Sequence, residues 1–261
     1  MAAPSNLQLA DFAVALAREA GEIPLRYFQR ELRVEAKLDA SPVTIADKQC
    51  ERFLRERIGA AYPGHGITGE EFGSVNTQAA TRWWLDPIDG TQSFIRGAPL
   101  WGVMIGLEEN GEATLGVVHF PALRETVWAA KGGGAWWRPA DQEKRAAKVS
   151  AVSRLEEATL LVTDPRGFAP AGLQEPYDRL RARVKFERSW GDCYGHCLVA
   201  TGRAEVMLDP VLNPWDACAL LPILEEAGGR FTDWRGARTI RGGNAISTNG
   251  DLLDDVLGAI R

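Results

Sequence analysis

Residues 83–91 read WWLDPIDGT, and the character of the chain changes in the middle of this stretch. The first three residues form an apolar run that stops at Asp86, a pattern typical of a buried strand. Pro87 fixes one backbone angle of the turn that follows, and Asp86 and Asp89 lie three residues apart across it. The spacing therefore allows both carboxylates to converge on one point beyond the end of the strand.

Oxygen ligands in this arrangement favour a hard cation. The carbonyl oxygen of Ile88 can join Asp86 and Asp89, and Mg²⁺ prefers a few carboxylates together with water and a substrate phosphate. Gly90 and Thr91 offer backbone N–H groups where a helix can begin, which is a natural seat for a phosphate. An ordinary Asp-Pro turn with an Asx cap is the competing interpretation, since such turns are common.

Two other acidic segments change the balance between these interpretations. Gly69-Glu70-Glu71 lies a short loop upstream, and Trp215-Asp216 opens a predicted helix far downstream. Isolated acids at helix starts usually cap the helix or complement its dipole. Three acidic segments, each beside glycine or tryptophan, favour one shared site over three separate caps.

The composition bounds the class of protein. Of the 261 residues, 45% are apolar and 25% charged, the usual balance of a folded globular chain. The net charge of −5 argues against binding to nucleic acid or to an anionic membrane surface, both of which require a basic face. No apolar run approaches the ~20 residues of a membrane span, and residues 1–8 contain no readable signal peptide. Since four cysteines are too sparse for a disulfide framework, we expect a reduced, cytoplasmic protein.

Hydrophobic periodicity predicts a mixture of helices and strands along the rest of the chain. The predicted helices cover residues 9–23, 47–58, 177–183, 193–201 and 215–227, with Pro24 kinking or ending the first and Pro222 kinking the last. The predicted strands cover residues 83–85, 103–107, 113–119, 135–137, 160–163 and 205–208, with a hairpin turn at Asn110-Gly111. The polar segment 138–148 predicts a boundary between a first half, residues 1–145, and a second half, residues 146–261. This mixture indicates an α+β or layered α/β fold.

Four motifs, read together, carry a resemblance to a known family. Residues 84–91 with Phe94 form one motif, Gly69-Glu70-Glu71 precedes it, and residues 215–217 lead on to residues 226–229. Ser41-Pro42-Val43-Thr44 with Asp47 forms the fourth. The motifs span nearly the whole chain in the expected order, and the sequence resembles the Mg²⁺-dependent, Li⁺-sensitive phosphatases of the inositol monophosphatase type. The resemblance implies a layered αβαβα sandwich of two α/β halves and, as is frequent in this family, a homodimer.

Three shorter stretches narrow the resemblance. Residues 69–73 (GEEFG), 92–97 (QSFIRG) and 190–195 (WGDCYG) are most similar to the histidinol-phosphate phosphatases of that family. This similarity implies hydrolysis of L-histidinol phosphate to L-histidinol and phosphate, a step of histidine biosynthesis. Inositol-1-monophosphatase and broader sugar or nucleotide phosphatase activities share the same metal motifs and stay open as alternatives. A phospho-ligand-binding protein that has lost catalysis is the non-enzymatic alternative.

The resemblance assigns a metal site to the acidic segments. It implies two or three Mg²⁺ ions, with Mn²⁺ or Zn²⁺ as alternatives, held by Glu70, Asp86, Asp89, Asp216 and the carbonyl oxygen of Ile88. Asp47 would orient Thr91 or bind a further, weaker metal. Elementary electrostatics favours the same conclusion, because five ionised carboxylates packed together without cations would repel one another and some would take up a proton.

The resemblance also assigns roles around the substrate. Thr91 with Glu70 would position and deprotonate the attacking water, and the N–H groups of Gly90 and Thr91 would hold phosphate oxygens. Asp192 and Asp209 match positions that contact the rest of the substrate, although a helix N-cap and a strand-end turn are the plainer interpretations of these two. Acidic residues there would favour the amine and imidazole of histidinol phosphate over an uncharged inositol ring. We therefore expect a small phosphorylated metabolite as the ligand.

Other phosphatase classes do not fit the spacing of the motifs. A covalent aspartyl-phosphatase of the haloacid-dehalogenase type needs two aspartates at positions i and i+2, whereas Asp86 and Asp89 lie at i and i+3. None of the three histidines lies in an arginine-flanked motif, and the chain contains no GxSxG nucleophile elbow. The sequence thus favours attack by a water molecule over a covalent intermediate.

Overall fold

The computed structural model describes residues 5–31, 33–36, 42–140 and 142–261. Within these ranges the α-helices are α1 (Asn6–Leu25), α2 (Ile45–Ala61), α3 (Thr91–Ile95), α4 (Gln174–Arg181), α5 (Asp192–Ala200), α6 (Pro214–Glu226) and α7 (Leu253–Ile260). The strands are β1 (Val34–Ala36), β2 (Pro42–Thr44), β3 (Gly66–Gly69), β4 (Gly73–Val75), β5 (Thr81–Asp89), β6 (Gly102–Glu109), β7 (Glu112–Phe120), β8 (Glu125–Ala130), β9 (Ala135–Arg138), β10 (Arg145–Ala146), β11 (Thr159–Val162), β12 (Phe186–Arg188), β13 (Val206–Asp209), β14 (Arg230–Thr232) and β15 (Ala245–Thr248). Short 3-10 helices cover Pro121–Leu123, Leu155–Glu157 and Pro165–Gly167.

The strands form two large sheets and one small pair. The eight-stranded sheet has the order β10-β9-β8-β7-β6-β5-β3-β4, and all its pairs are antiparallel except β3 with β5. The five-stranded sheet has the order β12-β11-β13-β15-β14, parallel from β12 to β13 and antiparallel beyond. Strands β1 and β2 pair antiparallel on their own.

The alternation of side chains along β5 shows how the layers stack. Trp83 and Leu85 pack with residues of α1 and α2 on one face of the eight-stranded sheet. Trp84 points to the opposite face, into a core shared with α5, α6 and the five-stranded sheet. A third core joins the outer face of the five-stranded sheet to α4 and α7. The order of layers is therefore αβαβα, which confirms the predicted sandwich.

Glycines allow α6 to lie directly on the eight-stranded sheet. A Cβ atom on Gly116 of β7 would lie 1.9 Å from the carbonyl oxygen of Ala219, and one on Gly106 of β6 would lie 2.7 Å from the Sγ atom of Cys218. Because no side chain intervenes, the helix backbone approaches the strands closely. This packing fixes the first turn of α6 next to the end of β5, where the predicted site lies.

Each predicted helix and strand is present in the structure, but the residues at which it begins and ends differ from those predicted. The strand predicted for residues 83–85 continues to Asp89, with a register shift between Asp86 and Asp89. Pro24 lies in the last turn of α1, and Pro222 lies within α6 without interrupting it. The predicted boundary between residues 1–145 and 146–261 stays a prediction, and Ser41 lies outside the described residues.

All four cysteines are buried and free. Among the described residues, no helix is both long and apolar enough to cross a membrane.

Candidate active site

The end of β5 is shaped by an irregularity in the strand. The N–H of Ile88 donates to Asp86 Oδ1 at 2.9 Å, at the register shift where β5 bulges between Asp86 and Asp89. Asp89 then accepts a hydrogen bond on Oδ2 from the N–H of Cys193 at 2.5 Å. Asp89 thus ties the end of β5 to the start of α5, although 104 residues separate the two in sequence.

Asp216 reaches the same point from α6. It is the third residue of the helix, and its Oδ2 atom accepts a hydrogen bond from the N–H of Asn213 at 3.0 Å. Ligand oxygens of Asp86, Asp89 and Asp216 all lie within 4.8 Å of one another. We call these three residues the acidic cluster. The structure therefore brings together aspartates from two motifs that lie far apart in the sequence.

The acidic cluster is electrostatically unfavourable on its own. Burial raises the pKa of Asp86 well above its ordinary value, and the neighbouring Glu70 and Asp216 raise it further. Burial and the charge of Asp89 do the same to the pKa of Asp216, and burial also raises the pKa of Asp89. Within the described ranges no lysine or arginine forms an ion pair with these aspartates. Without a cation, these carboxyls would therefore keep their protons to a higher pH than a free aspartate does.

The donor set of the acidic cluster fits a hard divalent cation. The Oδ1 atom of Asp216 is buried and has no hydrogen-bond partner among the described residues, and the same is true of Oδ1 of Asp47. A buried carboxylate oxygen without a partner is costly unless something outside the chain satisfies it. Convergent carboxylates with an orphaned oxygen are the ligands that such cations take. The cluster can therefore hold a metal ion.

Asp47 lies at the start of α2 and bonds within its own motif. Its Oδ2 atom accepts hydrogen bonds from the N–H and from the hydroxyl of Thr44, at 2.7 and 2.6 Å. Burial raises the pKa of Asp47 to about 6. The hydroxyl of Thr91 donates instead to the carbonyl oxygen of Ile88, at 3.0 Å. The orphaned oxygen of Asp47 fits the predicted metal role better than the alternative of orienting Thr91.

Glu51 is a residue that the sequence reasoning missed. It is fully buried, forms an ion pair with Arg55 at 2.7 Å, and accepts the N–H groups of Glu71 and Phe72 at 2.7 and 3.2 Å. A Cβ on Gly69 would lie 2.2 Å from Glu51 Oε1, so the carboxylate supports the loop that carries Glu70. The signal was present, because Glu51 follows Asp47 by four residues and lies on the buried face of α2.

A cleft of about 670 Å³ adjoins the acidic cluster. Gly90, which precedes α3 with φ +82°, and Thr91 line it, and so does Glu70 from the other side. A Cβ on Gly90 would lie 2.9 Å from the carbonyl oxygen of Leu100 and 3.1 Å from Asp192 Oδ2, so both the angle and the space require glycine. The predicted phosphate seat and the predicted water-activating pair therefore face one cleft.

Of the two acids predicted to contact the rest of the substrate, one lines this cleft. Asp192 opens α5 and stands against Gly90; burial, Asp89, Asp209 and Asp216 raise its pKa well above the ordinary value. Asp209 ends β13 and is buried, with Oδ1 accepting from Thr163 Oγ1 at 2.6 Å and Oδ2 bonded to His196 Nε2 at 2.9 Å. It is absent from the lining of the cleft among the described residues.

Known proteins share both the sequence and the fold. The model of the inositol monophosphatase family matches residues 5–260. A histidinol-phosphatase of Chlorobaculum parvum is 43% identical over 98% of this chain and 96% of its own. A histidinol-phosphatase of Mycobacterium tuberculosis is 40% identical, with 94% and 95% covered. The crystal structure of the extragenic suppressor protein SuhB from Bartonella henselae superposes with a TM-score of 0.89 at 28% identity, over 97% of this chain and 98% of that one.

The comparisons agree with the motifs quoted from the sequence and with the layered fold. The matched region takes in all three members of the acidic cluster, the Gly90 turn and the start of α5. The resemblance to histidinol-phosphatases within the family is likewise confirmed by the two relatives. The chain is a phosphatase and belongs to the inositol monophosphatase family.

Proposed function

We propose that this phosphatase hydrolyses L-histidinol phosphate, in histidine biosynthesis, with Mg²⁺ as its cofactor. Water and the phosphomonoester are consumed, and L-histidinol and inorganic phosphate are released. The observation that carries the proposal is the convergence of the acidic cluster, without any cation from the described chain, beside a cleft that also presents Asp192. The similarity to two histidinol-phosphatases over almost the whole chain supports the choice of substrate.

The metal ligands would be those named from the sequence. Two or three Mg²⁺ ions would be held by Glu70, Asp86, Asp89, Asp216 and the carbonyl oxygen of Ile88, with Asp47 as a further ligand. Bound divalent cations neutralise charge on the phosphate and the leaving oxygen and lower the pKa of water. Mn²⁺ or Zn²⁺ would be less favoured alternatives, because an all-oxygen set of ligands suits Mg²⁺ best.

The residues at the start of α3 would act on the phosphate and the water. The N–H groups of Gly90 and Thr91 lie at the helix start and would hold phosphate oxygens. Since the hydroxyl hydrogen of Thr91 points to the carbonyl oxygen of Ile88, its lone pairs are left to accept a hydrogen bond from water. Glu70 lines the same cleft and would accept one proton from that water, while the other hydrogen stays bonded to the oxygen and donates to Thr91.

Asp192 would select the substrate from a position beside the phosphate seat, because it stands against Gly90. Histidinol carries an ammonium group and an imidazole, and an ionised carboxylate binds both by charge-assisted hydrogen bonds. Cations held by Asp89 and Asp216 would offset two of the charges that raise the pKa of Asp192 and would thereby favour its ionised form. The same carboxylate offers an inositol ring only neutral hydrogen bonds, so it favours a cationic leaving group. The family resemblance further supports a cytoplasmic homodimer, which light scattering on the purified protein would test.

The proposal is tested by phosphate release from four substrates, with Mg²⁺ and with chelator. The substrates are histidinol phosphate, inositol 1-phosphate, fructose 1,6-bisphosphate and a 3′-phosphonucleotide. We expect Mg²⁺-dependent turnover with a preference for histidinol phosphate of about 10²-fold in kcat/KM. Faster turnover of inositol 1-phosphate would leave the metal site standing and replace the substrate. No turnover of any of the four with metal present would support a phospho-ligand-binding protein instead.

A further inference from the structure

A chain of buried hydrogen bonds runs from the five-stranded sheet towards the cleft. It starts at Ser247 on β15, whose Oγ atom lies 2.7 Å from His196 Nδ1. The other ring nitrogen of His196, Nε2, bonds Asp209 Oδ2 at 2.9 Å. Ser247 and His196 are fully buried and Asp209 is 4% exposed. These three groups resemble a hydrolytic triad in their order, but their burial keeps any substrate away from the serine hydroxyl.

Thr163 carries the chain from Asp209 to the wall of the cleft. Its hydroxyl donates to Asp209 Oδ1 at 2.6 Å and accepts the backbone N–H of Asp192 at 2.8 Å. Both carboxylate oxygens of Asp209 are therefore engaged inside the protein. The geometry gives Asp209 a contact with Asp192 through Thr163, where the sequence predicted a contact with the substrate.

The backbone at Asp192 needs such support. Its φ angle is +52°, a left-handed conformation that a non-glycine residue keeps only where its surroundings hold it. A Cβ on Gly191 would lie 2.2 Å from the Cα atom of Thr163, so the chain before Asp192 is pressed against the end of β11. The next N–H, that of Cys193, is held by Asp89. Thr163 and Asp89 thus fix Asp192 from both sides.

We propose that Thr163 and Asp209 are positioning residues that fix the Asp192 carboxylate in the cleft and thereby set the affinity for the cationic end of the substrate. This inference rests on the proposed contact between Asp192 and histidinol phosphate. It makes Asp209 a residue that acts through Thr163. It also assigns a role to the buried His196, which bonds the second oxygen of Asp209, and to Ser247, which bonds the other ring nitrogen of His196.

The test is a double-mutant cycle with Mg²⁺-loaded enzyme and histidinol phosphate. Thr163→Val removes the hydroxyl and keeps the shape, so we expect KM to rise roughly fivefold to tenfold while kcat changes less than about twofold. Thr163→Ser restores the hydroxyl and should return KM to the wild-type value. In an Asp192→Asn background, Thr163→Val should change KM by less than about twofold, because the charge that it positions is gone.

A matched control separates positioning from the loss of a buried hydroxyl. Thr232 lies in β14 of the same sheet and is buried, and its Oγ1 has no hydrogen-bond partner among the described residues. Thr232→Val should therefore leave KM unchanged. Asp209→Asn keeps the side-chain volume and serves as a second variant should Thr163→Val fold poorly by thermal unfolding. We expect it to raise KM in the wild-type background and to have no further effect in Asp192→Asn.

The outcomes distinguish this inference from the proposed function. A rise in KM that persists in the Asp192→Asn background would mean that Thr163 touches the substrate itself, and would overturn the positioning role. A wild-type KM in both Thr163→Val and Asp209→Asn, with KM raised in Asp192→Asn, would overturn the positioning role and leave the proposed substrate contact intact. An unchanged KM in Asp192→Asn would remove that contact, and this inference with it.

Discussion

Two groups of carboxylates in the interior of this protein lie in contrasting settings. In the first, three glutamates each meet an arginine, at 2.7, 2.6 and 2.5 Å: Glu51 with Arg55, Glu108 with Arg241, and Glu125 with Arg203. We call them the arginine-paired glutamates. In the second, the acidic cluster of Asp86, Asp89 and Asp216 meets no lysine or arginine in the part of the chain that the structure describes. Its members meet one another instead.

The difference shows where the missing charge must come from. A buried carboxylate is tolerated when a cation or several hydrogen bonds compensate it. The chain supplies that cation to each arginine-paired glutamate. Among the described residues, no lysine or arginine does the same for the acidic cluster, although Asp86 is as completely buried as the paired glutamates. The cluster is therefore built to receive charge from outside, which is how a site for divalent cations differs from a structural ion pair.

The largest expected effect is on turnover. Asp86→Asn removes one charge and one ligand oxygen from the acidic cluster, and we expect kcat/KM to fall by at least about 10³-fold with the fold intact. Phosphate release and circular dichroism on the same sample measure both quantities. Near-normal rates in excess Mg²⁺ would contradict the assignment of Asp86 to a metal site.

A smaller effect is expected from Glu51, the arginine-paired glutamate that also supports a loop of the proposed metal site. Glu51 pairs with Arg55 and also holds the loop that carries Glu70. Glu51→Gln should raise the Mg²⁺ concentration for half-maximal activity roughly 10- to 100-fold, because it weakens the hydrogen bonds that hold the loop carrying the proposed ligand Glu70. Glu108→Gln is the matched control at the far end of β5 and β6, and should leave this concentration unchanged. Equal effects of the two variants would contradict the claim that Glu51, and not Glu108, supports the metal site.

Stability should respond to the two settings with opposite signs. In chelator-treated protein, Asp216→Asn relieves repulsion within the acidic cluster and should raise the free energy of unfolding. Glu125→Gln leaves Arg203 without its ion-pair partner in a partly buried position, and should lower the free energy by about 1–3 kcal/mol. Urea unfolding of both variants in chelator measures the two signs. A loss of stability in both would indicate that the cluster is not strained without metal.

The last prediction concerns the contribution of Asp47 to the pH dependence of folding stability. Its pKa is raised to about 6 in the folded protein, against about 3.9 when unfolded, so between these values the folded state binds more protons. This contribution to stability is present at low pH and is lost as the pH rises through about 6. In chelator we expect Asp47→Asn to flatten the dependence of Tm on pH, by roughly 5–10 °C between pH 4 and 7.

The comparison with wild type is needed because His119 changes the stability with pH in the opposite direction. Burial lowers the pKa of His119 to about 4, so its contribution to stability is lost as the pH falls below about 6.5. The difference between wild type and Asp47→Asn removes this term, since His119 is present in both. The Tm of Asp47→Asn minus that of wild type should therefore grow as the pH rises from 4 to 7, and a difference that shrinks would contradict the sign derived for Asp47.

The sequence predicted the acidic cluster because its signals are local. Asp86 and Asp89 follow an apolar strand, and Asp216 opens a helix behind tryptophan, so each carboxylate was visible at the end of an element. The same local reasoning located Gly90, whereas the role of Asp192 came from the family resemblance. The extension of β5 to Asp89 escaped prediction because it depends on pairing with β6 across a register shift.

Contacts between distant segments could not be predicted in this way. His196 and Ser247 are 51 residues apart, and nothing in either neighbourhood indicates that β15 will lie beside α5. The engagement of both Asp209 oxygens depends on that same arrangement, so the sequence left open whether Asp209 faced the substrate or a turn. Topology, which sets the neighbours of each strand, supplies what periodicity and motifs lack.

The most direct test of the account is calorimetric titration of Mg²⁺ into chelator-treated protein, comparing wild type with Asp86→Asn and Glu108→Gln. We predict saturable binding to wild type and to Glu108→Gln, and binding that is lost or strongly weakened in Asp86→Asn. Equal Mg²⁺ binding by all three proteins, or none by the wild type, would contradict the claim that the acidic cluster receives its compensating charge from divalent cations.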